Sequence, residues 1–444
     1  MFNSKMVSKL GRILGMCAIA LLALQATNAT IVKAAGTTIT IESWRTGDET
    51  LWDGVIADFN KTHPDITVKF QPTKPDQYDG VLSAKLSSTT AGDLITCRPF
   101  SKSLALYTAG NLADLTSLPG MENFSTFAKH AWSTPDDKTT FCVPMASVLH
   151  GFIYNKDYFD KNGFKEPATY EDFLALLEAI KKEGSMTPLA LGVKDGWAET
   201  SMGFDNIGPN YWGGQDGNLG LLAGTRKYND PGFLAAFDAL SKWAPYLGTG
   251  FEAETYTDSQ NLFTSGKAAI FPAGSWEISG FETAASFKMG AFKAPPAKGA
   301  DKCYVSNQID IAVGLNAASK NADAAKTFLS YVASEPFETI YSQGLPGFFP
   351  LGNFKITLSD PLANTFLGWT QECGSALRSS YLLPVPPTGT ATDVETDLWN
   401  TNTLLLSGKL TPQQAADTVQ GNMDKWFKPV APAMAATMEA TAAK

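Results

Sequence analysis

The 444-residue sequence predicts an α/β protein of two lobes, each a mainly parallel sheet flanked by helices. Three observations carry this. The chain is longer than one hydrophobic core supports, because cores stop growing near about 250–300 residues and longer chains divide. Short runs of alternating apolar residues are followed by longer runs with apolar residues three and four apart, the strand-helix-strand order that builds parallel sheets. The apolar fraction of 44% and charged fraction of 18% are those of a globular chain, without the composition of a disordered one.

Lys5, Lys9 and Arg12 precede the apolar segment Ile13 to Leu24, and small residues then lead to Val32-Lys33-Ala34. Residues 1–34 therefore read as a secretory signal peptide rather than a membrane span. Cys17 follows Met16, not the small residue a lipidation site needs, and most of the apolar stretch lies after it. A free soluble protein is expected, with no direct membrane insertion, since no later segment supplies the ~20 continuous apolar residues of a membrane helix. Removing residues 1–34 takes away Lys5, Lys9, Arg12 and Lys33 and no acidic residue, so the formal charge moves from −9 to −13. That balance argues against nucleic acid and anionic membranes as partners. Cys97, Cys142, Cys303 and Cys373 remain. Their wide spacing matches no zinc motif, and in an export compartment where disulfides persist they leave three pairings open, and free thiols as well.

In order, Thr37 to Ser43 alternates as a strand and ends in the polar loop Trp44-Arg45-Thr46-Gly47-Asp48. Leu51, Val55, Ile56 and Phe59 then share one face of a helix that His63-Pro64 stops, and Ile66, Val68 and Phe70 alternate as the next strand. A helix over Asp76 to Ser88 and a short apolar strand, Gly92 to Thr96, lead to Cys97-Arg98-Pro99. Later, Thr169 caps a helix with Asp172 three residues on, and with Phe173, Leu176, Leu177 and Ile180 as its buried face. A helix from Pro231 to Tyr246 follows. Farther on, Asp310 to Asn316 reads as a strand, and Ala325, Phe328, Leu329 and Val332 as the inner face of an amphipathic helix.

Pro144 to Lys161 is the most informative stretch, an apolar strand feeding a helix through Tyr154-Asn155-Lys156-Asp157. Gly151, Phe152-Ile153, Tyr154-Asn155, Phe159 and Lys161 fit the signature of family 1 extracellular solute-binding proteins, the sugar-capturing subunits of ABC importers. The chain resembles that family, of the maltose-binding-protein-like kind. The opening strand, Trp, helix and Phe-Asn-Lys-x-His-Pro, the run Pro-x-Thr-x-x-Asp-Phe from Pro167, and Asp258 to Ile270 ending in Gly274-Ser275-Trp276 are similar to it too. The resemblance implies a type II-like binding protein whose lobes are discontinuous and joined by a hinge. Its crossings fall within Met145–His150 and near Asp310–Val313. Residues 35–148 with about 309–346 would form the N-lobe, and 149–308 with about 347–444 the C-lobe, the Ala-rich tail 431–444 being frayed. It further implies a periplasmic monomer that captures a carbohydrate between its lobes and delivers it to the membrane subunits of an ABC permease, with no cofactor and no metal.

A carbohydrate site needs flat apolar rings against the C–H faces of the sugar and planar polar groups for its hydroxyls. Trp276, after a strand and a glycine turn, is the leading stacking residue, the place where the resembled family puts one; a core aromatic is the other reading. Trp44 either stacks on the sugar or closes the top of its sheet. The irregular Gly/Asn-rich segment Phe204 to Gly214 is expected to line the cleft through Asn206, Tyr211 and Trp212. Ser147 lies in the first crossing, Asn307, Gln308 and Asp310 beside the second. Gly347 and the run Ser379-Ser380-Tyr381 are rim candidates. Arg45, Arg98 and Arg378 either bond hydroxyls or an anionic group, or form surface ion pairs.

The rival class is catalytic. His63, His130 and His150 lack metal-ligand spacing, and no Gly-x-Ser-x-Gly elbow or phosphate-binding glycine loop is present. Two carboxylates suffice for a glycoside hydrolase, but the eight recurring βα units of a barrel hydrolase are missing. The expectation is a binding protein for a di- or oligosaccharide or a glycoside, and not an enzyme. The alternatives are an anionic sugar (a uronate, or a sulfonated or phosphorylated sugar) as ligand, or a secreted glycan-active enzyme.

Overall fold

A computed structural model describes residues 36–386 and 390–429. The expected signal peptide and the tail 431–444 lie outside the described residues. Strand β1 (Thr37–Ser43) pairs in parallel with β2 (Ile66–Pro72) and with β3 (Leu94–Cys97). Two long strands follow in the sheet, β8 (Tyr304–Leu315) antiparallel beside β3 and β4 (Cys142–Asn155) antiparallel beside β8. Beyond β4 come β6 (Ala268–Gly274) and β5 (Thr187–Leu189), parallel to each other. Short strands complete the sheet: β7 (Met289–Phe292) and β9 (Phe349–Pro350) on β4, and β10 (Gly374–Ala376) on β8. The sheet is thus mixed, because β4 carries the chain out of one half and β8 carries it back.

Most buried apolar side chains of the described residues fall into two cores. One draws on Ile39 to Val148 and Ile309 to Phe348, the other on Leu149 to Val305 and Phe349 to Met423. The division runs through β4 between Val148 and Leu149 and through β8 between Val305 and Ile309. Cys142 opposes Gly314 and Leu149 opposes Asn307, with register shifts on either side of Ala146. Pro144 has no N–H to give the ladder, which accounts for an irregularity beginning there.

The first helix runs Glu49–Phe59 and buries Trp52, Val55 and Phe59, whereas the expected Leu51 and Ile56 are only half-buried. Trp52 takes the centre of the face and stacks on Phe70 of β2 at 5.1 Å. The helix Tyr170–Glu183 begins in a full capping box between Thr169 and Asp172. Ala322–Val332 buries Ala325, Phe328, Leu329 and Val332. Beyond Ser241 the expected helix from Pro231 breaks into a separate 3₁₀ turn, Ala244–Tyr246, where Pro245 cannot supply a helical N–H.

The Gly/Asn-rich segment is not an irregular loop. It winds through a π-helical turn, Glu199–Phe204, into short helices at Asp205–Ile207 and Pro209–Trp212. Its glycine at 208 serves close packing: a Cβ there would sit 1.9 Å from the Trp212 ring.

Of the three open cysteine pairings, the structure joins Cys303 to Cys373, tying the start of β8 to the end of the helix Pro361–Glu372 where β10 joins the sheet. Cys97 and Cys142 stay free and buried on β3 and β4. Their sulfurs lean over Gly314 of β8, where a Cβ would come within 2.9 Å of one and 3.1 Å of the other. Closing a loop of 70 residues restricts the unfolded chain, so the double variant C303S/C373S should lose about 2–4 kcal/mol of stability in denaturant titration. Protein unfolded without reductant should label at Cys97 and Cys142 and not at the other pair.

Candidate functional site

Between the two cores lies a cavity of about 1010 Å³. One wall comes from the ends of parallel strands, where ligands gather in open α/β sheets. Trp44 and Arg45 follow β1, and Arg98 follows β3. The backbone under Arg98 is fixed by Trp132, whose buried indole N–H donates to the carbonyls of Cys97 at 3.3 Å and Arg98 at 3.2 Å. Arg98 lies over the Trp44 ring at 4.7 Å, donates to Asp79 Oδ1 at 3.1 Å, and thereby holds the ring in place. Arg45 makes a two-pronged pair with the buried Asp48, Nε to Oδ2 at 2.9 Å and Nη2 to Oδ1 at 2.8 Å.

The opposite wall is aromatic. Trp276 leaves β6 after Gly274, where a Cβ would meet its ring at 2.1 Å, so the glycine lets the indole fold back over its own strand. Its Nε1 donates to Tyr256 OH at 2.8 Å, and Tyr256 meets Trp197 at 4.5 Å between ring centres. Trp399 and Tyr381 also face the cavity. Beside Trp276, Glu277 is almost fully buried and accepts from Gln260 Nε2 at 2.8 Å. Asp310 of β8 sits between the walls, and Arg378 reaches the cavity from the second half, Nη1 donating to Tyr381 OH at 2.6 Å while Nε has no partner among the described residues.

A model of the bacterial extracellular solute-binding protein family matches residues 54–354. The chain belongs to that family. Among curated relatives of this solute-binding protein, an uncharacterized ABC transporter extracellular-binding protein of Pyrococcus horikoshii is 28% identical over 228 residues, covering 50% of this chain and 52% of that one. A multiple sugar-binding protein of Streptococcus mutans is 23% identical over 292 residues, covering 63% and 67%. The chain thus spans about half the length of the first relative and about two thirds of the second. Among solved structures, a chitin oligosaccharide binding protein superposes with TM-score 0.76 at 22% identity, over 88% of this chain and 99% of that one. The SBP RafE in complex with raffinose gives 0.72 at 20% identity, over 88% and 99%. These superpositions establish the two-lobed α/β fold of solute-binding proteins. Among the described residues no helix is long and apolar enough to cross a membrane, and no cluster of three or more His, Cys, Asp or Glu is placed to hold a metal.

Six of the residues singled out from sequence meet at the cavity of this solute-binding protein: Trp44, Arg45, Arg98, Trp276, Asp310 and Arg378. Tyr381 of the expected rim joins them. Six others are placed elsewhere. Asn206 is fully buried and donates to the carbonyls of Gly151 and Met202. Trp212 stacks on Phe233, and Tyr211 packs edge-on against Tyr170. These three anchor the second core because their segment is helical, which turns its aromatic rings inward. Ser147 bonds the Phe349 carbonyl, and Asn307 bonds Ser375. Gly347 has φ +97°, its carbonyl accepts from Ser275, and a Cβ there would strike the Ser275 carbonyl at 2.0 Å; it is a close-packed turn, without a side chain for a ligand.

Trp197, Tyr256, Gln260, Glu277 and Trp399 were not singled out from sequence. Glu277 had a signal in its place next to Trp276. Tyr256 opens the helix Tyr256–Thr264 behind a Thr255 capping box, and Trp399 lies on the helix Val394–Leu406, so neither stands apart from ordinary helix residues by pattern.

Burial opposes the charge on Arg45 and Arg98, but it is outweighed by Asp48 with Tyr341 and Asp310 at Arg45, and by Asp79 with Tyr381 and Glu395 at Arg98, and both pKa values stand above the ordinary range. Asp310 is pushed up by burial while Arg378, Arg45 and Arg98 pull it back. His150, edge-on beneath Trp276 at 5.3 Å, is held neutral by burial and by Arg378. Burial pushes Glu277 up to about 8 against the pull of Arg45, and Glu199 to about 8. The folded protein therefore keeps a proton on Glu277 that the unfolded chain loses near its ordinary value of 4.5. That contribution to stability is complete below about 4.5 and is lost as the pH rises through about 8. Relative to wild type, Glu277→Gln should gain thermal stability as the pH is raised from about 5 to about 8. This difference cancels the opposing slope from His150, and a constant difference would contradict the assignment.

Proposed function

We propose that this solute-binding protein is a periplasmic carbohydrate receptor that captures a di- or oligosaccharide, or a glycoside, between two lobes and delivers it to the membrane permease of an ABC importer. The observation that carries the reading is the convergence, in one cavity, of the ring wall Trp197, Tyr256 and Trp276 with the polar groups of Arg45, Glu277, Asp310 and Arg378. Rings cover the C–H faces of a sugar, and planar polar groups bond adjacent hydroxyls. The volume lies at the upper end of the ~300–1,000 Å³ of small-molecule pockets, which favours more than one sugar unit. The sugar-binding names of the Streptococcus relative and of the solved structures support the same class. The P. horikoshii relative's name supports the importer.

The two separate cores support lobes formed by residues 35–148 with about 309–346, and by 149–308 with about 347–444. A ligand touching both lobes stabilises the closed arrangement, and a ligand touching one shifts nothing. Export on a signal peptide over residues 1–34, and action as a monomer without cofactor, complete the reading. Arg45 and Arg98 already hold Asp48 and Asp79, which favours a neutral sugar. The Nε of Arg378, unpartnered among the described residues, favours the second reading, an anionic sugar. The family match to binding proteins supports capture without turnover.

Thermal unfolding against a panel of neutral di- and trisaccharides, polyols, uronates and phosphorylated or sulfonated sugars tests the proposal. A ligand at ~1,000 times its dissociation constant adds about 4 kcal/mol to the native state, a shift of several degrees. Trp276→Ala should remove that shift at unchanged ligand-free fold. No shift with any member contradicts carbohydrate capture, and a shift confined to anionic members selects the second reading.

A further inference from the structure

Phe100 and Lys102 are not among the residues lining the cavity, yet they make contacts between the two halves beside it. Phe100 packs against a small apolar cluster, Leu219, Leu377 and Leu382, that is separate from both cores. It precedes the helix Ser101–Thr108, whose Leu104 and Leu106 pack on the first core, whereas the three leucines belong to the other half. Lys102, on that helix, reaches Asp393 Oδ2 at 2.7 Å and Glu395 Oε2 at 3.3 Å, again in the other half. Asp393 is fixed for this role, since its other carboxylate oxygen caps the helix Val394–Leu406 through the Thr396 N–H.

Two further observations tie these contacts to the cavity. Phe100 holds φ +55° and ψ −126°, a backbone conformation that glycine adopts readily and a phenylalanine does not. The strain is maintained where the ring bridges the halves, as at switch positions. In addition, the contact residues adjoin cavity residues along the chain: Phe100 follows Arg98, Leu382 follows Tyr381, and Asp393 precedes Glu395, which itself both lines the cavity and meets Lys102.

We propose that Phe100 and Lys102 form a latch between the lobes and set ligand affinity as positioning residues, without touching the ligand. The inference rests on the two-lobed capture proposed above. Opening the lobes parts Lys102 from both carboxylates and draws Phe100 from its leucines. The latch therefore adds to the closed state alone, and any ligand that needs closure gains from it. Because one half of the latch is ionic, affinity for an uncharged sugar becomes sensitive to salt, which direct hydroxyl bonding would not produce.

The test uses the mature protein and the variants Lys102→Met, Phe100→Gly and Phe100→Leu. Small-angle scattering without ligand should give a larger radius of gyration for Lys102→Met and Phe100→Gly than for wild type, while Phe100→Leu, which keeps an apolar plug, stays near wild type. With a neutral sugar identified by the panel, Lys102→Met should weaken binding about threefold to fivefold, through faster release, and abolish the salt dependence. An unchanged radius of gyration in both opening variants overturns the latch, whether or not any sugar binds. Failure of every sugar to bind wild type overturns the capture reading instead, and the ligand-free scattering still decides the latch.

Discussion

The antiparallel pairing of β4 with β8 is the constraint on which the rest depends. These two strands are two of the crossings between the cores, a third lying at Phe348–Phe349, and their ladder runs from Cys142 opposite Gly314 to Leu149 opposite Asn307. Each strand changes core within a few residues, β4 at Val148–Leu149 and β8 between Val305 and Ile309. A side chain on this ladder near the change of core that turns away from both cores lies between the lobes. Asp310 is such a residue, which is why a single carboxylate can face Arg45 and Arg98 from one half and Arg378 from the other.

The chemistry of the cavity follows from what each half can offer. The first half supplies arginines that are paired with their own carboxylates, Arg45 with Asp48 and Arg98 with Asp79. Such pairs leave planar donors in fixed orientation while removing most of their net charge. The second half supplies rings, joined by the Trp276–Tyr256 hydrogen bond and the tilted Tyr256–Trp197 contact. Glu277, kept protonated by burial near neutral pH, adds a donor where a carboxylate would otherwise sit. The proposed sugar ligand fits this division because its own surface alternates apolar C–H faces with hydroxyls.

Much of this was legible in the sequence, and the reasons it was not elsewhere are physical. Strands such as Thr37–Ser43 and the helix Ala322–Val332 carry a period that only one face can satisfy, so their buried sides could be named. Trp44, Arg45 and Arg98, just past strand ends, were expected near a cleft from topology, Trp276 from the family resemblance as well, and all four line the cavity. The segment from Phe204 to Gly214 misled because glycine and asparagine usually mark loops. Here glycine makes room for Trp212 against the backbone, and Asn206 bonds carbonyls inside the core. Trp197, Tyr256 and Trp399 stayed hidden because they reach the site through the packing of distant helices, which local pattern does not record. The pairing of Cys303 with Cys373 likewise needs β10 to be seated on β8.

Hydrogen exchange in the presence and absence of saturating sugar measures most directly whether the proposed ligand bonds both lobes at once. A ligand bonded to both lobes should slow exchange on both sides of the cavity, in the loop after β1 at Trp44 to Asp48 and in the turn after β6 at Ser275 to Glu277. Protection confined to one of these segments, with the other exchanging as in the free protein, would contradict it.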